Sequence, residues 1–144
     1  MWWTYALLSA LFAALTAIFA KIGIKGVDSD LATAIRTAII LVIAWGVAFI
    51  RGSTANIGGL TRFNWLFLVL SGCATGLSWI FYFKALQVGE VSQVAPVDKL
   101  SVALAIVLSA IFLKESLTWQ TTIGALLILA GTVVIILPSH YFKI

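Results

Sequence analysis

The chain is poor in charge. Asp, Glu, Lys and Arg make up 10% of its 144 residues, against 62% hydrophobic ones. Soluble domains carry about 25% charged and about 45–50% apolar residues. A chain this short has too much surface per volume to hide such an apolar excess in water. A soluble globular domain is excluded, and the surplus must face lipid. Cysteine is nearly absent: Cys73 alone cannot close an intramolecular disulfide, so no redox compartment follows from it. Histidine is also single, and His140 by itself supports no metal site. There is no H-E-x-x-H, no G-x-S-x-G and no pair of Asp residues deep in two apolar runs, which argues against an intramembrane enzyme. Gly58-Gly59 lacks the Lys and Ser/Thr of a phosphate-cradling loop, so no nucleotide or other cofactor is expected. The nine Lys and Arg are scattered singly between apolar runs, which leaves no basic patch for nucleic acid. In a membrane protein such charges set topology instead.

What the sequence has is long apolar runs. A hydrocarbon core about 30 Å thick needs roughly 20 apolar residues per helix. Five runs meet this, at about 2–22, 31–50, 63–86, 91–113 and 118–137. The fold class expected is all-α, a multi-pass protein of the cell (inner, cytoplasmic) membrane forming a single domain over 1–144. The start, Met-Trp-Trp-Thr-Tyr, has no basic stretch and argues against a removable signal peptide. Asp28, Ser29 and Asp30 offer caps for the second helix, and Thr118 for the last. Arg51–Arg62 reads as a loop, Gln87–Glu90 and Lys114–Leu117 as tight turns, and Pro138 as the final stop. Trp2, Trp3, Trp65, Trp119 and Tyr141 fall near span ends, as interfacial aromatics do. Ser9, Ala13 and Ala17, the pair Gly72 and Gly76, and Gly124 with Gly131 place small residues on single helix faces. Such faces pack helices closely in lipid, either within one subunit or across a dimer.

Ionisable residues inside spans cost about 2.5–3.5 kcal/mol each on insertion scales, so each is a candidate for function. Lys21, Arg36 and Lys84 lie within two turns of a span end. They either snorkel to the interface or line a cavity. Asp98 and Lys99 lie deeper, behind Pro96. Pro96 lacks an N–H and clashes with the Ser92 carbonyl, which predicts a bend or break near Ala95 and a half-helix starting at Pro96. Freed backbone groups at membrane depth belong in a buried or wet cavity. Pro96, Asp98 and Lys99 are therefore the leading site, the alternative being a charge paired with a neighbouring span to hold register. Trp79 and Tyr82, at i and i+3, could stack on an organic solute or face lipid. Near the spans, Lys21, Arg36, Lys84 and Lys99 outnumber Glu90 and Asp98, a surplus that suits an anionic or zwitterionic metabolite.

Five spans place the two ends of the domain on opposite sides of the membrane. Transporters commonly rock two inverted halves about a central site. One half must find a second. Lys25 and Lys143 lie on one side, and Arg51, Arg62 and Lys114 on the other. Adding Lys21, Arg36 and Lys84 to the first side turns two against three into five against three. This weak bias is compatible with insertion in both orientations and an antiparallel homodimer, or with one fixed orientation that the count misses.

Two stretches carry a family resemblance. The run from Tyr82-Phe-Lys-Ala-Leu-Gln-Val-Gly-Glu through Val-Ser-Gln-Val-Ala-Pro-Val-Asp-Lys-Leu-Ser101 resembles the third-to-fourth helix turn of EamA-type domains of the drug/metabolite transporter superfamily. Phe112-Leu-Lys-Glu-Ser-Leu-Thr-Trp, followed by Gly124, resembles the next turn, usually Phe-Leu-Gly-Glu with a Leu-Thr and a later Gly. Arg36 matches a basic residue of that family, and the similarity covers essentially the whole chain, closest to short members with a single copy of the domain. The resemblance implies a ten-helix transporter assembled from two such units. It names no substrate, and its carry-over is limited to Arg36, Pro96 and Glu115, chiefly as structural residues; Glu90, Gly72, Gly76 and Gly124 are read as structural motif positions beside them. Lys114 departs from the family pattern, standing where Gly is usual. The function expected is a secondary transporter or exporter of a small organic solute acting as a homodimer. The alternative is a non-transporting membrane subunit paired with a separate, oppositely oriented partner.

Overall fold

Asp28 and Thr118 show why the helices begin where they do. The Asp28 carboxylate accepts from the Asp30 and Leu31 N–H groups at 2.9 and 3.1 Å, and Thr118 Oγ1 accepts from Thr121 N–H at 3.2 Å. Each satisfies donors that a helix start leaves unpaired. In the computed structural model, which describes residues 1–137, the helices are α1 (Trp2–Gly23), α2 (Ser29–Ile50), α3 (Arg62–Val88), α4 (Val91–Asp98), α5 (Leu100–Phe112) and α6 (Trp119–Ile136). No strand occurs among the described residues. Counting α4 and α5 together, five segments are long and apolar enough to cross a membrane, within a few residues of the five apolar runs. Pro138, His140, Tyr141 and Lys143 lie outside the described residues.

Two local readings need correction. The Arg51–Arg62 connector is not irregular throughout, because Ser53–Gly59 forms a 3-10 helix. Gly52, at φ +67°, turns the chain out of α2, and i→i+3 bonds such as Ala55 N–H to the Gly52 carbonyl then satisfy the backbone. This segment lies against the last turns of α2. The second correction concerns the fourth span, where the helix continues through Pro96 and breaks at Lys99. Hydroxyl groups explain the shift. Ser101 Oγ donates to the Asp98 carbonyl at 2.7 Å. The Pro96 carbonyl accepts from Lys99 N–H at 3.0 Å and from Thr132 Oγ1 at 3.4 Å. Carbonyls that would carry the ladder across Lys99 are engaged elsewhere.

The chain forms two compact units, Met1–Val88 and Gly89–Ile144. In the first, α2 and α1 both pack on α3. Its buried residues lie near one end: Ala17, Ala20 and Ile24 where α1 finishes, Ser29 and Thr33 where α2 starts, Phe83 and Leu86 where α3 finishes. In the second unit, α6 packs on α4 and α5, with Ala103 and Thr132 buried. Leu127 and Phe81 are each more than 60% exposed, as a surface solvated by lipid permits. After α5, the Leu113 and Glu115 N–H groups point to the Ser109 carbonyl at 2.9 and 3.4 Å. Between them Lys114 adopts φ +55°, a left-handed conformation that glycine reaches without strain.

Candidate functional site

The packed end of the first unit is held by polar ties. Lys21 Nζ, in the last turn of α1, donates to the Leu86 carbonyl at 2.6 Å. That carbonyl lies in the last turn of α3, where helix carbonyls lack intrahelical partners and cations are favoured. Lys84 Nζ lies 3.3 Å from Asp30 Oδ1, and Gln87 Nε2 donates to the Val27 carbonyl at 3.0 Å. Lys21 and Lys84 thus tie helix ends together, and neither lines the cavity beside them. The sequence marked Asp30 as a cap residue and passed over Gln87. Their partners lie 54 and 60 positions away, beyond any local signal.

Arg36 is different. It lies seven residues into α2, about 11 Å along the helix, with no ion pair to a carboxylate among the described residues. Its guanidinium carbon sits 4.5 Å from the Phe83 ring centroid and 5.4 Å from that of Trp79, within cation–π range. Trp79 and Phe83, at i and i+4, form the face that meets it. Tyr82 stands edge-on to Phe83 at 6.2 Å and acts electrostatically on Arg36, so Phe83 joins Trp79 and Tyr82 around the cation. Beside Arg36 lies a cavity of about 380 Å³ between α1, α2 and α3. Its walls are apolar, including Phe19, Ile24, Ile35 and Phe83, with Thr16 and Arg36 as polar members.

In the second unit, Asp98 Oδ2 and Lys99 Nζ pair at 3.2 Å where the fourth span is interrupted. Adjacent residues on an unbroken helix diverge by about 100° and do not face each other. The break brings them together. Pro96 contributes its carbonyl to the same interruption. Glu90 precedes α4 and accepts from Ser92 Oγ at 3.5 Å. Glu115 takes part through its backbone N–H. A Cβ built on Gly72, Gly76 or Gly124 meets no atom within 4 Å, so these glycines make no close approach inside their own units.

A five-span apolar chain with a membrane arginine beside a cavity and an interrupted charged span matches one family over residues 1–137, described as the EamA-like transporter family. The chain belongs to that family. It is 43% identical over 134 residues to a Sinorhizobium sp. protein named "Uncharacterized transporter in cobO 3'region", covering 93% of this chain and 95% of that one. It is also 30% identical over 129 residues to "Uncharacterized transporter YxxF" of Bacillus subtilis (strain 168), covering 88% of this chain and 40% of that protein. No solved structure matches. This EamA chain is therefore a membrane protein, and family and relatives support a transporter role. Its apolar helices meet lipid.

Proposed function

We propose that the chain is a subunit of a secondary transporter or exporter for a small organic metabolite, resident in the cell membrane. It acts as a homodimer whose two copies insert in opposite orientations. The observation that carries this reading is an odd number of spans in one family unit. Five spans put the ends of the unit on opposite faces, so two copies of opposite orientation make the inverted pair that alternating access uses. The Sinorhizobium relative has nearly the same length, while YxxF is about two and a half times as long as the region it shares with this chain. The open faces at Gly72, Gly76 and Gly124 suit helix contact with a second copy, because small residues let backbones approach closely in lipid.

The test is the location of the C-terminus, read by paired reporters fused after Ile144, one active in the cytoplasm and the other outside it. Both reporters score if the chain inserts both ways. A single active reporter refutes the antiparallel homodimer and leaves an oppositely oriented partner chain to supply the second half. Within the transporter, the Asp98–Lys99 pair at the helix break is the part of the second unit that serves solute movement. Asp98→Asn or Lys99→Ala then abolishes uptake into proteoliposomes while insertion and dimerisation persist. Normal uptake by both variants refutes that role.

A further inference from the structure

We infer that the Arg36 cavity binds a solute carrying a single anionic head on an apolar body, a carboxylate in the simplest case. This names the substrate class of the transporter and rests on the transport reading above. Arg36 sits about two turns into a membrane-spanning helix, where an arginine is expensive unless something compensates it. Two aromatic rings supply part of that compensation. No protein carboxylate supplies the rest among the described residues: Asp30, on the same helix, is held by Lys84, and Asp98 by Lys99. Cation–π contact with the two rings offers the guanidinium N–H donors no lone-pair acceptor. A planar fork of donors matches a carboxylate in bidentate geometry.

The cavity adds the second requirement. At about 380 Å³ it falls within the roughly 300–1,000 Å³ of small-molecule pockets. Thr16 and Arg36 are its polar lining residues, and Phe19, Ile24, Ile35 and Phe83 form much of the rest. A cationic solute would meet like charge, and a neutral one would leave the guanidinium charge uncompensated. A polyanion would leave charge stranded against apolar walls. One anionic head with an apolar body leaves nothing unpaired.

The test uses three probes of one shape: 4-phenylbutyrate, 4-phenylbutanol and 4-phenylbutylamine. Their binding to the full chain in phosphatidylcholine nanodiscs is compared for wild type, Arg36→Gln and Arg36→Lys. Wild type should prefer the carboxylate over the alcohol by at least tenfold, about 1.4 kcal/mol, and reject the amine. Arg36→Gln should bring the ratio close to one. Arg36→Lys should keep a weaker preference, because it retains the charge and loses the fork. Equal binding of acid and alcohol by wild type, or an unchanged preference in Arg36→Gln, overturns the inference. A lipid phosphate presents the same chemistry, so a second arm adds phosphatidylglycerol. Competition that appears in wild type and not in Arg36→Gln assigns the site to lipid, and its absence assigns it to a soluble solute. Flux is read separately in proteoliposomes. Charge-selective binding without uptake of 4-phenylbutyrate upholds the anion site and refutes transport of this class. Uptake with charge-blind binding refutes the anion site alone.

Discussion

Replacing Lys114 by glycine should make the protein more stable, although most substitutions do the reverse. Lys114 holds φ +55° in the turn after α5, and an L-residue pays roughly 1–2 kcal/mol there because its Cβ crowds the following carbonyl. Glycine escapes that cost and returns about 0.5–1 kcal/mol through its freer unfolded chain. The net gain is about 0.5–1 kcal/mol, a two- to fivefold rise in the folded ratio. Lys114→Ala separates backbone from charge. It removes the ammonium and keeps the Cβ, so stability should stay within about 0.5 kcal/mol of wild type. The assay is reversible unfolding in mixed micelles with increasing dodecyl sulfate, followed by the fluorescence of the six tryptophans. If alanine stabilises as much as glycine, repulsion and not backbone strain is being relieved. If glycine gives no gain, the left-handed turn costs nothing and the reasoning fails.

The same assay checks two further expectations. Asp28→Ala leaves the Asp30 and Leu31 N–H groups without their cap and should cost about 1 kcal/mol, with Asp28→Asn close to wild type. Phe83→Ala empties a site that is 1% exposed and removes one of the two rings against Arg36. The loss should be about 2–3 kcal/mol, below the ~3–5 of soluble cores, because apolar transfer adds little when the surrounding medium is itself lipid.

Span number and placement were legible because bilayer thickness leaves the chain little choice. The caps at Asp28 and Thr118 were equally readable, since that chemistry is local. The helix break was misplaced for a physical reason. Pro96 identifies a weak point in the ladder, but the break is set by where Ser101 and Thr132 take up carbonyls, and Thr132 is 36 positions away. The same limit explains the lysines. Sequence could say that Lys21 and Lys84 lie near span ends, and only the fold says that one meets the Leu86 carbonyl and the other Asp30. Arg36 was recognisable as a charge in an apolar run. Its cavity was not, because three helices build it. That Phe83 meets the cation was not legible, because i+3 and i+4 neighbours of Trp79 lie equally close on a helix and only the packing of α2 on α3 brings Arg36 over Phe83.

The first unit is fastened at one end. Ala17, Ile24, Phe83 and Leu86 are buried there, and the ties from Lys21, Lys84 and Gln87 lie there too. No hydrogen bond or ion pair joins the three helices at the Arg51–Arg62 end among the described residues. Helices tied at one end have the geometry of levers on a shared fulcrum. A rotation of about 10° at the fulcrum carries a helix tip ~30 Å away through ~5 Å, close to the rise of one helical turn. The Arg36 cavity lies at the fulcrum. By that geometry, a small adjustment around an occupant there would be multiplied into a large displacement at the far helix tips.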